Sequence, residues 1–88
     1  MKLKDKLVLR EVAGNWIIFP IAGSDFDLNG LLKLNDTGAL LWKKLEAGAD
    51  FEGLIDTVIN EYDVTREVAE TDVKTFLDKL SKAGCIEG

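Results

Sequence analysis

The chain has no histidine, one cysteine, one proline and two serines among its 88 residues. Without histidine it lacks the commonest general base and the commonest transition-metal ligand, and no histidine-containing catalytic triad can form. Ser24 and Ser81 have no base close by in sequence. A single thiol, Cys85, makes neither an intrachain disulfide nor a zinc site, and favours a reducing compartment. No apolar run approaches the length of a membrane span. The opening MKLKDKLVLREV has no continuous apolar segment and no small-residue cleavage site, so it does not read as a signal peptide. Positive charge is also scarce: 11 Lys and Arg stand against 16 Asp and Glu, a net −5. That balance argues against nucleic acid as the default partner. The expectation is a cytoplasmic, non-enzymatic protein without cofactor or metal and with no membrane contact.

What the sequence does contain is an ordinary globular composition, 47% hydrophobic and 31% charged. A chain of this size buries roughly 60–70% of its extended surface. That is enough for one core, so residues 1–88 are read as a single domain with residues 1–6 as a basic arm. The first third has strand character. LVLREV sets Leu7 and Leu9 against Val8 and Arg10, and NWIIFPI is rich in aromatic and β-branched residues. Ala13, Gly14 and Asn15 between them signal a tight turn, giving a hairpin over 6–22. Pro20 has no N–H for a ladder and belongs at an edge or a strand end. GLLKLN forms a third strand, with Leu32 and Leu34 on one face and Leu31 and Lys33 on the other.

Three amphipathic helices follow. The first carries Leu41, Trp42 and Leu45, with Asn35 or Asp36 as its N-cap and Gly48 past its end. The second starts at Asp50 and sets Leu54, Ile55, Val58, Ile59 and Tyr62 on one stripe. The third runs from a Thr65 cap to Gly84 with Ala69, Val73, Phe76, Leu77 and Leu80 aligned. Three strands and then three helices make an α+β fold. Short helix connections beside strands fit a winged helix-turn-helix.

One stretch, SDFDLNGLLKLND, spaces Asp25, Asp27, Asn29, Gly30 and Asp36 like a calcium loop. Such a loop needs a helix on both sides, yet IIFPIAG upstream is strand-like and broken by Pro20 and Gly23. Its twelfth position is an aspartate, shorter than the glutamate that grips the ion with both oxygens. A polar connection with Asn29–Gly30 at positive φ, followed by a helix cap, explains the same residues.

The segment LLKLNDTGALLWKKLEAG resembles the signature of PqqD-like proteins, Leu-Asn-x-Thr-(Gly/Ala)-x-x-x-Trp, in Leu34, Asn35, Thr37, Gly38 and Trp42. The likeness runs upstream to REVAGNWIIFPI and downstream through LIDTVINEYDV to DVKTFLDKLSKAGCI, nearly the whole chain in order. It departs at Gly53, where a glutamate is common, and in its full SDFDLNG loop. The resemblance implies a winged-helix module that binds the leader of a ribosomally made precursor peptide. Such a module acts as a peptide chaperone in cofactor or natural-product biosynthesis. It presents the leader to a tailoring enzyme, often a radical S-adenosylmethionine protein. The leader would add as a strand to Leu31, Leu32, Lys33 and Leu34 and lie against the third helix. Whichever of Val73, Lys74, Leu77, Asp78 and Ser81 borders that strand would line the cleft.

Simpler readings stand beside these. Leu32, Leu34, Val73 and Leu77 fit core packing. Lys33, Lys74 and Asp78 fit solvated charge. Trp16 and Trp42 fit core aromatics, and Cys85 a small buried hydrophobe. The alternative function is a winged-helix DNA-binding regulator, and a third is a structural subunit that reads no peptide. Against DNA, Arg66, Lys74, Lys79 and Lys82 are cancelled by Glu67, Glu70, Asp72 and Asp78 on the third helix. The second helix has five acidic residues over 50–63 and no basic one.

Overall fold

The structure is a computed structural model that describes residues 2–3, 7–20 and 32–87. Its elements are β1 (Lys2–Leu3), β2 (Leu7–Val12), β3 (Asn15–Pro20), β4 (Leu32–Leu34), α1 (Asp36–Glu46), α2 (Phe51–Tyr62), α3 (Arg66–Lys82) and β5 (Ile86–Glu87). Three antiparallel strands, β2-β3-β4, are followed by three helices, so the fold is α+β. The calcium-like residues Asp25, Asp27, Asn29 and Gly30, and Leu31 of the expected strand, lie outside the described residues.

The hairpin closes with a two-residue loop, Val12 facing Asn15 across Ala13 and Gly14. Both loop residues have positive φ, 52° and 81°. This is the geometry that matches the right-handed twist of the flanking strands. Gly14 accepts it freely, while Ala13 carries a Cβ into a left-handed conformation that costs an alanine about 1–2 kcal/mol. Pro20 ends β3 opposite Leu7, beyond the reach of β4, which pairs only with residues 16–18. Its missing N–H therefore costs the β3–β4 ladder nothing.

Register puts Leu9, Ile18 and Leu32 in one row across the sheet, and Trp16 beside Leu34 in another. Ile18 and Leu34 from this face are buried in the core. They meet Leu41, Trp42 and Leu45 of α1, Leu54, Ile55 and Val58 of α2, and Ala69, Val73, Phe76 and Leu80 of α3. The second helical stripe fades at its end, where Ile59 is half-buried and Tyr62 exposed. Cys85 is fully buried in the same core. Trp42 is buried too, and its indole Nε1 has no hydrogen-bond partner. An orphaned buried donor costs about 1–3 kcal/mol, here set against the packing of the largest side chain in the core.

Trp16 departs from the expected core position. It is half-buried, its Nε1 donates to Asp36 Oδ1 at 3.2 Å, and Lys43 Nζ sits 4.4 Å from its ring centroid. The ring thus braces α1 against the sheet through a hydrogen bond and a cation–π contact. Within the basic N-terminal arm, Lys2 and Leu3 form a short strand. Lys2–Leu3 pairs antiparallel with Ile86–Glu87, and β1 packs against α1. Leu3 and Ile86 are apolar and lie against the core, which is what draws these two short segments together.

Each helix starts on a side-chain cap. Asn35, Asp50 and Thr65 accept from the backbone N–H of Gly38, Gly53 and Val68. The Asn35 cap is the shortest of the three, at 2.7 Å. At Gly38 a Cβ would come 3.2 Å from Asn35 Oδ1 and 3.3 Å from Leu34 Cβ. The glycine therefore lets the helix close tightly over its own cap.

Two stability predictions follow from these backbone features. Ala13→Asn should stabilise the fold by about 1 kcal/mol, read as a higher urea midpoint at constant m, because asparagine tolerates positive φ and suits this turn. No gain would mean that the alanine is unstrained. Gly38→Ala should fall within about 1 kcal/mol of the parent, since helix propensity offsets the tight contact. Gly38→Val should cost about 1–3 kcal/mol through overpacking. Equal midpoints for the two variants would refute the close approach.

Candidate functional site

The sheet ends on β4, and β4 pairs only with β3 among the described residues. Among those residues its second edge has no strand partner. An unpaired edge carries a row of main-chain donors and acceptors, which is a template for an added strand. Lys33 is exposed, Leu32 half-buried and Leu34 buried in the core. Leu34 holds the strand down while Lys33 remains at the surface.

A cleft of about 320 Å³ opens beside this strand. One wall is the β4–α1 junction: Leu34, Asn35, Thr37, Gly38 and Leu41. The other is a face of α3: Asp72, Thr75, Phe76 and Lys79. Four residues of the LNDTG run thus make the junction wall, with Leu34 anchored below, Asn35 spent on the cap and Gly38 keeping the floor low.

The two walls are joined by one polar contact. Lys79 Nζ donates to the main-chain oxygen of Lys33 at 2.7 Å, spanning 46 residues of sequence. The ammonium reaches this carbonyl from outside the three-stranded ladder. In an antiparallel strand a residue turns its N–H and C=O to the same side.

The α3 residues named from sequence have different places. Val73 is fully buried, and Leu77 is half-buried against the core. Lys74 pairs with Glu70, and Asp78 with Lys82, each at 2.9 Å on the exposed side. The Lys74 hydrogen bond and charge hold the Glu70 carboxyl below its usual range. Ser81 is exposed. None of these five lines the cleft. The residues that do so, Asp72, Thr75, Phe76 and Lys79, include only one from the apolar stripe, Phe76. Polar residues at i, i+3 and i+7 look like a solvated face in sequence, so no periodic signal marks them. The contact of Lys79 with Lys33 depends on the docking of α3 and has no local signature.

Arg66 pairs with Glu52 across the start of α2 and α3, which raises the guanidinium pKa still further. With Lys74 and Lys82 also paired and Lys79 bound to a carbonyl, every basic residue of α3 is engaged. Asp36, the last member of the calcium-like spacing, accepts from Trp16. Among the described residues no three His, Cys, Asp or Glu side chains gather in a metal-binding group. No helix of the described residues is long and apolar enough to cross a membrane.

No curated protein matches the chain. Among solved structures it is similar to TbiB1 in complex with the TbiA(beta) leader peptide. The TM-score is 0.80 at 26% identity, over 100% of this chain and 96% of that one. It shares its fold with lasso peptide synthetase B1 complexed with the leader peptide, with a TM-score of 0.77 at 21% identity, over 99% and 96% of the two chains. Residues 16–86, from the tryptophan that braces the sheet to the last strand, match the family model described as Coenzyme PQQ synthesis protein D, and the chain belongs to this PqqD family.

Proposed function

We propose that this protein is a recognition module for the leader of a ribosomally synthesised precursor peptide, which it delivers to a tailoring enzyme. The observation that carries this reading is an edge of β4 with no strand partner among the described residues, beside a cleft against α3. A protein of similar structure, TbiB1, has been seen in complex with the TbiA(beta) leader peptide. An extended segment added to β4 would use backbone pairing for register and side-chain pockets for selectivity. The arrangement of sheet and helices is read as a winged helix-turn-helix, and residues 1–88 as one domain. A radical S-adenosylmethionine enzyme is the class of partner that the family suggests, and the cytoplasm is the compartment. The module itself performs no chemistry in this reading, and its partners are peptide and enzyme rather than nucleic acid or membrane.

Lys33 offers its main chain to the peptide. Its carbonyl is reached by Lys79 from outside the ladder, so its N–H shares that orientation. Leu32 and Leu34 then spend their N–H and C=O groups on β3, and their side chains support the strand from the core side. Val73 and Leu77 act from beneath, as packing. Lys74, Asp78 and Ser81 lie on the other flank of α3, away from the cleft.

Backbone pairing to so short a strand supplies little affinity. Two hydrogen bonds at Lys33 contribute about 0.5–1.5 kcal/mol each. A micromolar complex needs about 8 kcal/mol. Burying one large apolar side chain in the cleft contributes about 1.5–3 kcal/mol. Most of the affinity therefore has to come from side chains seated against Phe76, Leu41 and Leu34.

Binding is tested by amide chemical shifts on addition of the leader segments encoded by short reading frames that flank the gene. Shifts should cluster on 32–35 and on Asp72, Thr75, Phe76 and Lys79. Lys33→Pro should weaken binding about tenfold through the lost donor, with the fold intact by circular dichroism, and Lys33→Ala should change it less than about threefold. Perturbations confined to α2 or β1 would sink this placement.

Duplex DNA should leave the spectrum unchanged at moderate salt, because the cations of α3 are already engaged. Tight, sequence-selective retardation in a gel would favour the regulator instead.

A further inference from the structure

Three cations on α3 differ in one respect. Lys74 and Lys82 each find a carboxylate one turn toward the N-terminus, Glu70 and Asp78, at 2.9 Å. Lys79 has Thr75 one turn before it and Ala83 one turn after. Its ammonium ends on the neutral carbonyl of Lys33 instead, at 2.7 Å, and it lines the cleft. The charge is hydrogen-bonded but not neutralised.

That carbonyl is also the acceptor that an added strand would use. A peptide N–H that takes Lys33 O turns the ammonium loose beside the incoming chain. An unpaired charge at the edge of a filling cleft is disfavoured, and a carboxylate on the peptide restores a charge-assisted hydrogen bond. Asp72 lines the same wall seven residues earlier, about 10 Å along the helix axis. The cleft is therefore polarised, cationic near Lys79 and anionic near Asp72. It would accept an acidic side chain at the first and repel one at the second.

We propose that Lys79 is a specificity-determining residue that reads an Asp or Glu of the bound leader, exchanging the Lys33 carbonyl for that carboxylate when the strand docks. This rests on the leader-binding reading above. It adds which side chain the peptide must carry and where along the cleft that side chain falls.

The test uses the leader segments of the flanking reading frames, made as synthetic peptides. Each is prepared in its native form and with every Asp or Glu singly changed to the amide. Fluorescence anisotropy would compare the parent protein with Lys79→Met and Lys79→Arg, their folds checked by circular dichroism. One acid-to-amide change should weaken binding to the parent about fivefold. Lys79→Met should erase that difference, binding native and amide peptides alike, and Lys79→Arg should keep it. The proposal is overturned if the sensitive acid stays equally sensitive in Lys79→Met, or if no acid matters to the parent. A parent protein that binds none of the native peptides would overturn the leader-binding reading itself, and this proposal with it.

Discussion

At the join of β4 and α1, one residue separates a strand from a helix, and the geometry of both depends on how that residue is held. Leu34 is buried in the core as the last strand position, and Asp36 is the first helical one. Asn35 between them turns the chain and caps the helix through the 2.7 Å bond from Gly38. Because Gly38 has no Cβ, the cap and Leu34 come within van der Waals reach of the helix backbone. The edge of β4 and the first turn of α1 are thus one rigid wall. Trp16 ties the same wall to the central strand through Asp36, and Lys43 stacks on its ring. A site made of a strand edge needs a strand that does not peel away, and a three-residue strand has few ladder bonds to resist peeling. The buried leucine and the capped helix supply that resistance.

The sequence signals that succeeded were local ones. A cap at Asn35 or Asp36, a helix start at Asp50, a cap at Thr65 and stripes of apolar residues at helical spacing place three helices within a residue or two of their ends. Gly14–Asn15 marks the hairpin because both are turn residues, and Gly14 takes positive φ freely although Ala13 before it does not. What escaped was non-local. Two-residue strands such as Lys2–Leu3 and Ile86–Glu87 carry no period, and they pair across 85 residues only because Leu3 and Ile86 share the core. The face of α3 that meets the cleft escaped for a related reason. Ala69, Val73, Phe76 and Leu80 define the buried stripe, but which of its two flanks borders β4 depends on how the helix docks. The flank with Lys74, Asp78 and Ser81 and the flank with Asp72, Thr75 and Lys79 look alike as sequence. Docking selects the second.

Charge on α3 shows why net charge alone says little about a surface. The helix is neutral in sum, yet its cations are not equivalent. Two are neutralised within the helix at i, i+4, a pairing worth only a few tenths of a kcal/mol on an exposed face. Arg66 is neutralised across the α2–α3 junction by Glu52. These three are matched before any partner arrives. Lys79 is the exception because helix geometry gives it no acidic neighbour, and a main-chain oxygen is a weaker match than a carboxylate.

The same contact bears on how an unpaired strand edge is kept safe. An open edge invites pairing with any extended chain, a second copy of this protein included. Charged side chains blunt such edges, lysine above all, and here one reaches in from a neighbouring helix rather than from the strand itself. While the cleft is empty, Lys79 occupies an acceptor that would otherwise stand bare to solvent or to a foreign strand. An extended segment that brings only backbone groups has to displace a charge-assisted hydrogen bond and gains a neutral one in return. A segment that also offers a carboxylate loses nothing in the exchange. A protective contact and a selective one are therefore the same pair of atoms, and the difference lies in what the arriving peptide carries.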